Sequence, residues 1–227
     1  MLSGNREIAR FVQHDIRPHL AKDFTTYKKR DLVRMHGSFV QLLAFSFSRN
    51  GTLRAHPTFF VVGADLSLPV IPQNTSLEVI DPWRWSFAGA VLDQDFAQRF
   101  VRQLENLSPL SFTTPLADAA AIAIPRVFGA FDKHSEHWSH SLYLAFYLLA
   151  TGHKDAPAAA KRARAQFDKL GRKVIGQPPP WRVALGQRIL ELERRLSLAG
   201  GPSLCREDAE EQAEKLDLPK ITWQHDA

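Results

Sequence analysis

The chain has 227 residues, 44% of them hydrophobic and 23% charged, a balance that excludes both a disordered polyelectrolyte and a protein embedded in a membrane. The net charge is +5 with the nine histidines taken as neutral, so an acidic partner is favoured only where that excess is concentrated. A single cysteine, Cys205, excludes an internal disulfide and a thiolate-rich zinc site, and it points to a reducing cytoplasm.

The opening MLSGNREIARFVQHDIRPHL carries scattered charges and no continuous apolar run, so it does not read as a signal peptide. Ile8, Val12, Ile16 and Leu20 recur four apart within 5–22 and predict a helix that kinks or ends near Pro18. The period then changes. In GSFVQLLAFSFSRNGTLRAHPTFFVVGADL, Phe39, Phe45, Phe47, Phe59 and Val61 have strand spacing, and SRNG at 48–51 supplies an Asn-Gly turn, the pattern of an antiparallel β-meander.

Further on, SLPVIPQNTSLEVIDPWRWSF begins as an irregular, proline-marked connection. It ends in an extended piece whose Trp83, Trp85 and Phe87 alternate with Arg84 and Ser86, which puts three aromatic rings on one face. Such a face either covers a core or docks a ligand.

From about residue 90 the spacing is helical. Leu92, Phe96, Phe100 and Leu104 form a stripe, and LADAAAIAI follows until Pro125. Residues 133–151 contain the longest strictly apolar run, LYLAFYLLA, about half of the roughly 20 residues that a membrane span requires. Residues 157–175 carry Ala163, Phe167, Leu170 and Val174, and 181–198 carry Leu185, Ile189, Leu192 and Leu196, each an amphipathic stripe. The pair 133–151 and 157–175 predicts a helical hairpin, and an acidic helix is expected around 204–216. The expected fold is α+β, an N-terminal helix and antiparallel meander over 1–90 followed by an all-helical 91–227.

Three segments, IRPHL at 16–20, VRMHGSFVQLLAFSFSRNG at 33–51 and FFVVGADL at 59–66, resemble a set of small, mostly uncharacterised bacterial domains of immunity or adaptor type. These open with a helix ending in I-x-P-x-L, followed by a strand bearing R-x-x-G and a strand of the form f-v-Q-l-l-x-F-x-x-S. The resemblance implies a bacterial origin and an α+β N-terminal unit, and it brings no catalytic motif with it.

The densest chemistry lies in DKHSEHWSHSLYLAFYLL, where His134, Glu136, His137 and His140 fall within seven residues. On a helix, Glu136, His140, Tyr143 and Tyr147, with His137 beside them, form a polar–aromatic stripe and a candidate polar cleft. H-S-E-H is one residue short of the H-x-x-E-H pattern of some zinc proteases. A metal-assisted hydrolase is therefore an alternative reading, with a third ligand to be supplied from elsewhere. There is no phosphate-binding loop, dinucleotide fingerprint or nucleophile elbow, and no cofactor is implied. Cys205 sits among acidic residues, which disfavour its thiolate.

The basic residues are better organised. Lys161, Arg162, Lys169, Arg172 and Lys173 lie opposite the apolar stripe of helix 157–175. Over 154–195 there are eleven Lys or Arg against four acids, whereas 203–217 holds two against six, so the last helix is expected to cover part of the basic strip. The favoured function is a non-catalytic, cytoplasmic protein-binding module that uses this strip, or the Trp83 and Trp85 face, to take an acidic partner. Nucleic-acid binding through the strip is the second alternative.

Overall fold

A computed structural model describes residues 3–47, 53–64, 77–80, 96–107, 110–118, 124, 139–171 and 177–223. It has the expected α+β arrangement, an N-terminal helix, an antiparallel sheet and then helices. Helix α1 (Ser3–Phe11) continues through a wide π-helical turn (Val12–Ile16) and a short 3-10 turn (Arg17–His19). Pro18 has no N–H with which to extend an α-helix, and the chain becomes extended at Leu20. The π turn still leaves Val12 and Ile16 buried with Ile8 and Leu20.

The sheet runs β1 (Thr25–Tyr27), β2 (Asp31–His36), β3 (Phe39–Phe47), β4 (Leu53–Val61) and β5 (Leu77–Ile80), each beside its sequence neighbour. Strands β1 and β2 pair antiparallel with Thr25 opposite Val33, and β4 and β5 pair antiparallel with a register shift between Leu53 and Arg54. The SRNG turn falls outside the described residues. Strand β1 was not legible because TTY is too short to display a period.

By compactness the described residues form two units, and the division does not follow the change of period near residue 90. The first takes residues within Met1–Met35, Val40–Phe60 and Pro69–Ala123; the second takes His36–Phe39, Val61–Leu68 and Ile124–Ala227. Helix α2 (Phe96–Leu107) belongs to the first, because its Phe100, Val101 and Leu104 share a core with Ile8, Phe11, Val12, Ile16, Phe24, Leu32, Leu43 and Phe45.

Polar groups fasten this core to the 110–116 segment. Arg34 is 2% exposed, and it donates to Gln41 Oε1 at 2.7 Å, Asp23 Oδ1 at 3.2 Å and the carbonyls of Thr114 and Ser111, with Phe24 beneath its guanidinium. Glu105 Oε1 accepts from the backbone N–H groups of Phe112 and Thr113 and from both of the hydroxyls at Ser111 and Thr113. A buried cation so fully hydrogen-bonded is a structural tie, since each lost partner would leave a charge unsatisfied.

The second unit contains α3 (Ser139–Ala150), α4 (Ala156–Gly171), α5 (Pro180–Leu196) and α6 (Gly201–Lys215). Helix α3 is the hub. Leu142 and every residue from Leu144 to Ala150 are buried, as expected of a helix apolar on all sides. Its main neighbour is α4, followed by α6, with α5 touching it less. It ends in a Schellman motif, with Gly152 at φ +75°, Gly152 N–H on the Leu149 carbonyl and His153 N–H on that of Leu148. No helix among the described residues is long and apolar enough to cross a membrane.

Candidate functional site

The basic strip begins on α4. Lys161, Arg162 and Lys169 are exposed there, and none forms an ion pair with a described residue. Arg164, one turn from Lys161, is different. It forms a two-pronged fork on Glu193 of α5, at 2.9 and 2.5 Å, and so clamps the two helices together. Arg172 and Lys173 lie outside the described residues.

Helix α6 does not lie chiefly over this strip. It packs against α3 and α5, and three of its acids have side-chain partners away from the strip. Asp208 takes Arg195 at 2.6 Å, Glu210 takes the Trp223 indole N–H at 2.7 Å, and Glu211 pairs with Lys215. Two apolar surfaces, on α3 and α5, are available to the Cys205, Ala209 and Ala213 face of α6, and burial of that stripe decides its position.

The acids of α5 are spent as well. Glu191 is gripped by Arg194 at 2.7 and 2.8 Å and by Arg195 at 2.8 Å, and these bonds hold its carboxyl down at about 2. Glu193 is lowered by its bond to Arg164. Burial works against the charge of Arg195, but its bonds to Glu191, Cys205 and Asp208 keep it protonated well above its ordinary range. Exposed positive charge is therefore left over on α4.

Of the proposed polar cleft, Tyr143 is half-buried and Tyr147 is buried. The Tyr147 hydroxyl lies 2.8 Å from His36 Nδ1, and its ring meets Phe39 edge-on. Tyr147 thus belongs to the interior of the second unit. His140 occupies the first turn of α3, while its side chain, together with Glu136 and His137, lies outside the described residues, as do Trp83 and Trp85. Among the described residues no three His, Cys, Asp or Glu come together as a metal site.

One further contact could bear chemistry. Ser46 Oγ and His56 Nε2 lie 2.6 Å apart across β3 and β4. Desolvation lowers the His56 pKa, and desolvation raises that of the nearby Asp31. The Asp31 carboxylate accepts the Phe45 N–H at 2.9 Å. The arrangement stitches three strands and sets an imidazole against a hydroxyl.

Sequence reasoning overlooked Val183 and Leu190, large apolar residues that α5 presents to solvent. The signal was available: they lie seven apart, outside the Leu185, Ile189 and Leu192 stripe, so α5 carries a second apolar line.

The fold defines an α+β protein in which α4 exposes basic side chains and α5 exposes apolar ones. No family model matches the chain, and neither a curated protein nor a solved structure matches it.

Proposed function

We propose that this protein is a non-catalytic binding module, acting in the cytoplasm in the manner of a bacterial immunity or adaptor protein, and that it takes the acidic surface of a protein partner on α4. The observation that carries the reading is the exposed row Lys161, Arg162 and Lys169, while Glu191 and Glu193 of α5 and Asp208 of α6 are each committed to an arginine. Opposed charges of this kind raise association rates and select partners more than they add affinity. Arg172 and Lys173 extend the same row in sequence.

The test is affinity purification of the tagged full chain from its host, in parallel with a Lys161→Glu/Arg162→Glu/Lys169→Glu variant. A stoichiometric acidic partner retained by the native chain and lost from the variant is the expected result. Equal retention by both would exclude α4 and move the interface, with the Trp83 and Trp85 segment the next place to substitute.

A further inference from the structure

Residues 218–223, LPKITW, follow α6 without regular structure. Ile221 is 6% exposed and Trp223 is half-buried, whereas Lys220 and Thr222 face water, the alternation of an extended strap laid on a surface. The chain turns back at Asp217, φ +55°, so that Trp223 returns to α6 and donates its indole N–H to Glu210 Oε1 at 2.7 Å. Among the described residues no backbone hydrogen bond ties 219–223 down. Side chains hold the strap.

The seat of Trp223 is built from three elements of the second unit. The turn between β2 and β3 offers Gly37, at φ +53°, where a Cβ would stand 3.1 Å from Trp223 Cζ3 and 3.5 Å from Cγ2 of Thr151, just beyond α3. Glycine takes this backbone without strain and leaves room for the indole. On the α6 side the Arg206 guanidinium lies 5.4 Å from the ring centre, within reach of a cation–π contact, and its Nε is fixed on the Ala150 carbonyl at 2.7 Å. One ring thereby joins the β2–β3 turn to the end of α3 and to α6.

Lifting the strap strands no polar group. Arg206 keeps the Ala150 carbonyl, while the exposed Glu210 and the indole N–H pass to water. The resistance is then the apolar burial of Ile221 and Trp223. Lifting α6 instead would break the bond of Gln212 to the buried Gly63 N–H and that of Asp208 to Arg195, and it would expose Cys205, Ala209 and Ala213. An element with few buried contacts and no backbone bonds opens first.

We infer that residues 218–223 form a latch that opens and closes while the helices of the second unit stay folded, and that the seated Trp223 indole steadies the β2–β3 turn against α3 and α6. Closed, the indole covers Gly37. Open, it bares that turn together with Arg206 and Glu210.

Trypsin reads the opening, because the bond after the exposed Lys220 becomes a substrate once Ile221 lifts out. The initial rate at which peptide 221–227 leaves the full chain is measured by mass spectrometry in rising urea. A local opening exposes little surface, so the rate should be nearly flat below the unfolding transition. A rate that climbs as steeply as global unfolding overturns the latch. Trp223→Ala should speed the cut about tenfold or more. It should also speed hydrogen exchange of the Val62 N–H, which bonds the Ser38 carbonyl of the turn at 2.9 Å, with the amides of α3 left at their native rates. Unchanged cleavage and exchange in this variant, or equal acceleration throughout α3, overturns the latch as well. Trp223→Phe keeps a ring for the seat but no N–H, and it should stay within about threefold of the native rate, since an exposed hydrogen bond adds little net. Cleavage of Trp223→Phe as fast as that of Trp223→Ala would assign the hold to Glu210 and overturn the seat at Gly37.

Discussion

Two single positions show how far local conformation constrains this chain. Gly63 follows β4 at φ +86°, and a Cβ there would meet Ala209 N at 2.8 Å, Ala209 Cα at 2.9 Å and Phe146 Cζ at 2.6 Å. The phenyl ring can move, but the α6 backbone cannot move without lifting the helix. Gly63→Ala combines this overlap with a left-handed backbone, and its expected cost is about 2–4 kcal/mol in chemical denaturation. A loss under about 0.5 kcal/mol would mean that α6 sits less tightly than this. Asp217 is the opposite case. It closes α6 in a Schellman motif at φ +55°, with its N–H on the Glu214 carbonyl and that of Leu218 on the Ala213 carbonyl. Glycine is the residue that this position favours, and Asp217→Gly should raise stability by about 0.5–1 kcal/mol. In sequence, Phe59 and Val61 have strand spacing and the structure places both in β4, but the crowding at Gly63 comes from residues about 80 and 150 positions away and has no local signature.

Helices α4 and α5 were legible because each presents a 3.6-residue period of several turns, and α3 because its apolar run is unbroken. Their ends followed from Gly152, Pro180 and the Gly200–Gly201 pair, as caps and breakers dictate. Helix neighbours were less legible, since α6 competes with α5 for the surface of α3 and a stripe does not name its partner. Leu142 is 3% exposed, and Leu142→Ala should cost about 2–5 kcal/mol. The forks on α5 predict an acid limb in the stability profile. Glu191 is held at about 2 against an ordinary 4.5, and Glu193 is lowered too. Their contribution is fully present above 4.5 and is lost as the pH falls toward 2, because the unfolded chain takes up the protons first. Glu191→Gln should therefore lower stability at neutral pH and converge with the native chain near pH 2. Asp31 runs the other way. Burial raises it above 3.8, so its contribution is present below that value and lost as the pH rises through the folded one. Asp31→Asn keeps an acceptor for the Phe45 N–H, and it should equal the native chain in acid and exceed it at neutral pH. A neutral-pH loss would mean that the charge itself supports the β2–β3 pairing.

Across the whole molecule, the class of fold was written in two periods, about two in the strands and 3.6 in the helices, and the α+β order follows from where one replaces the other. The grouping into units was not, because α2 has a helical period but buries Phe100 and Leu104 among strand and α1 residues; period reports the element and not its neighbours. The candidate site was legible only as charge. Lys161, Arg162 and Lys169 stand out as charge in sequence, but whether a lysine is neutralised depends on which acids fold beside it, and that is decided by α6 settling on α3 and α5. The same distribution decides between a protein and a nucleic-acid partner. A surface with about three free phosphate-binding cations should bind a single strand with a slope of about −2 in log K against log salt, each contact adding about −0.7. Such binding is weak and lost near physiological salt. Titrating a labelled single-stranded oligonucleotide against the full chain at several salt concentrations measures it. A slope near −5 with affinity persisting at physiological salt would require about seven phosphate contacts, more than α4 offers, and would overturn the protein-partner reading.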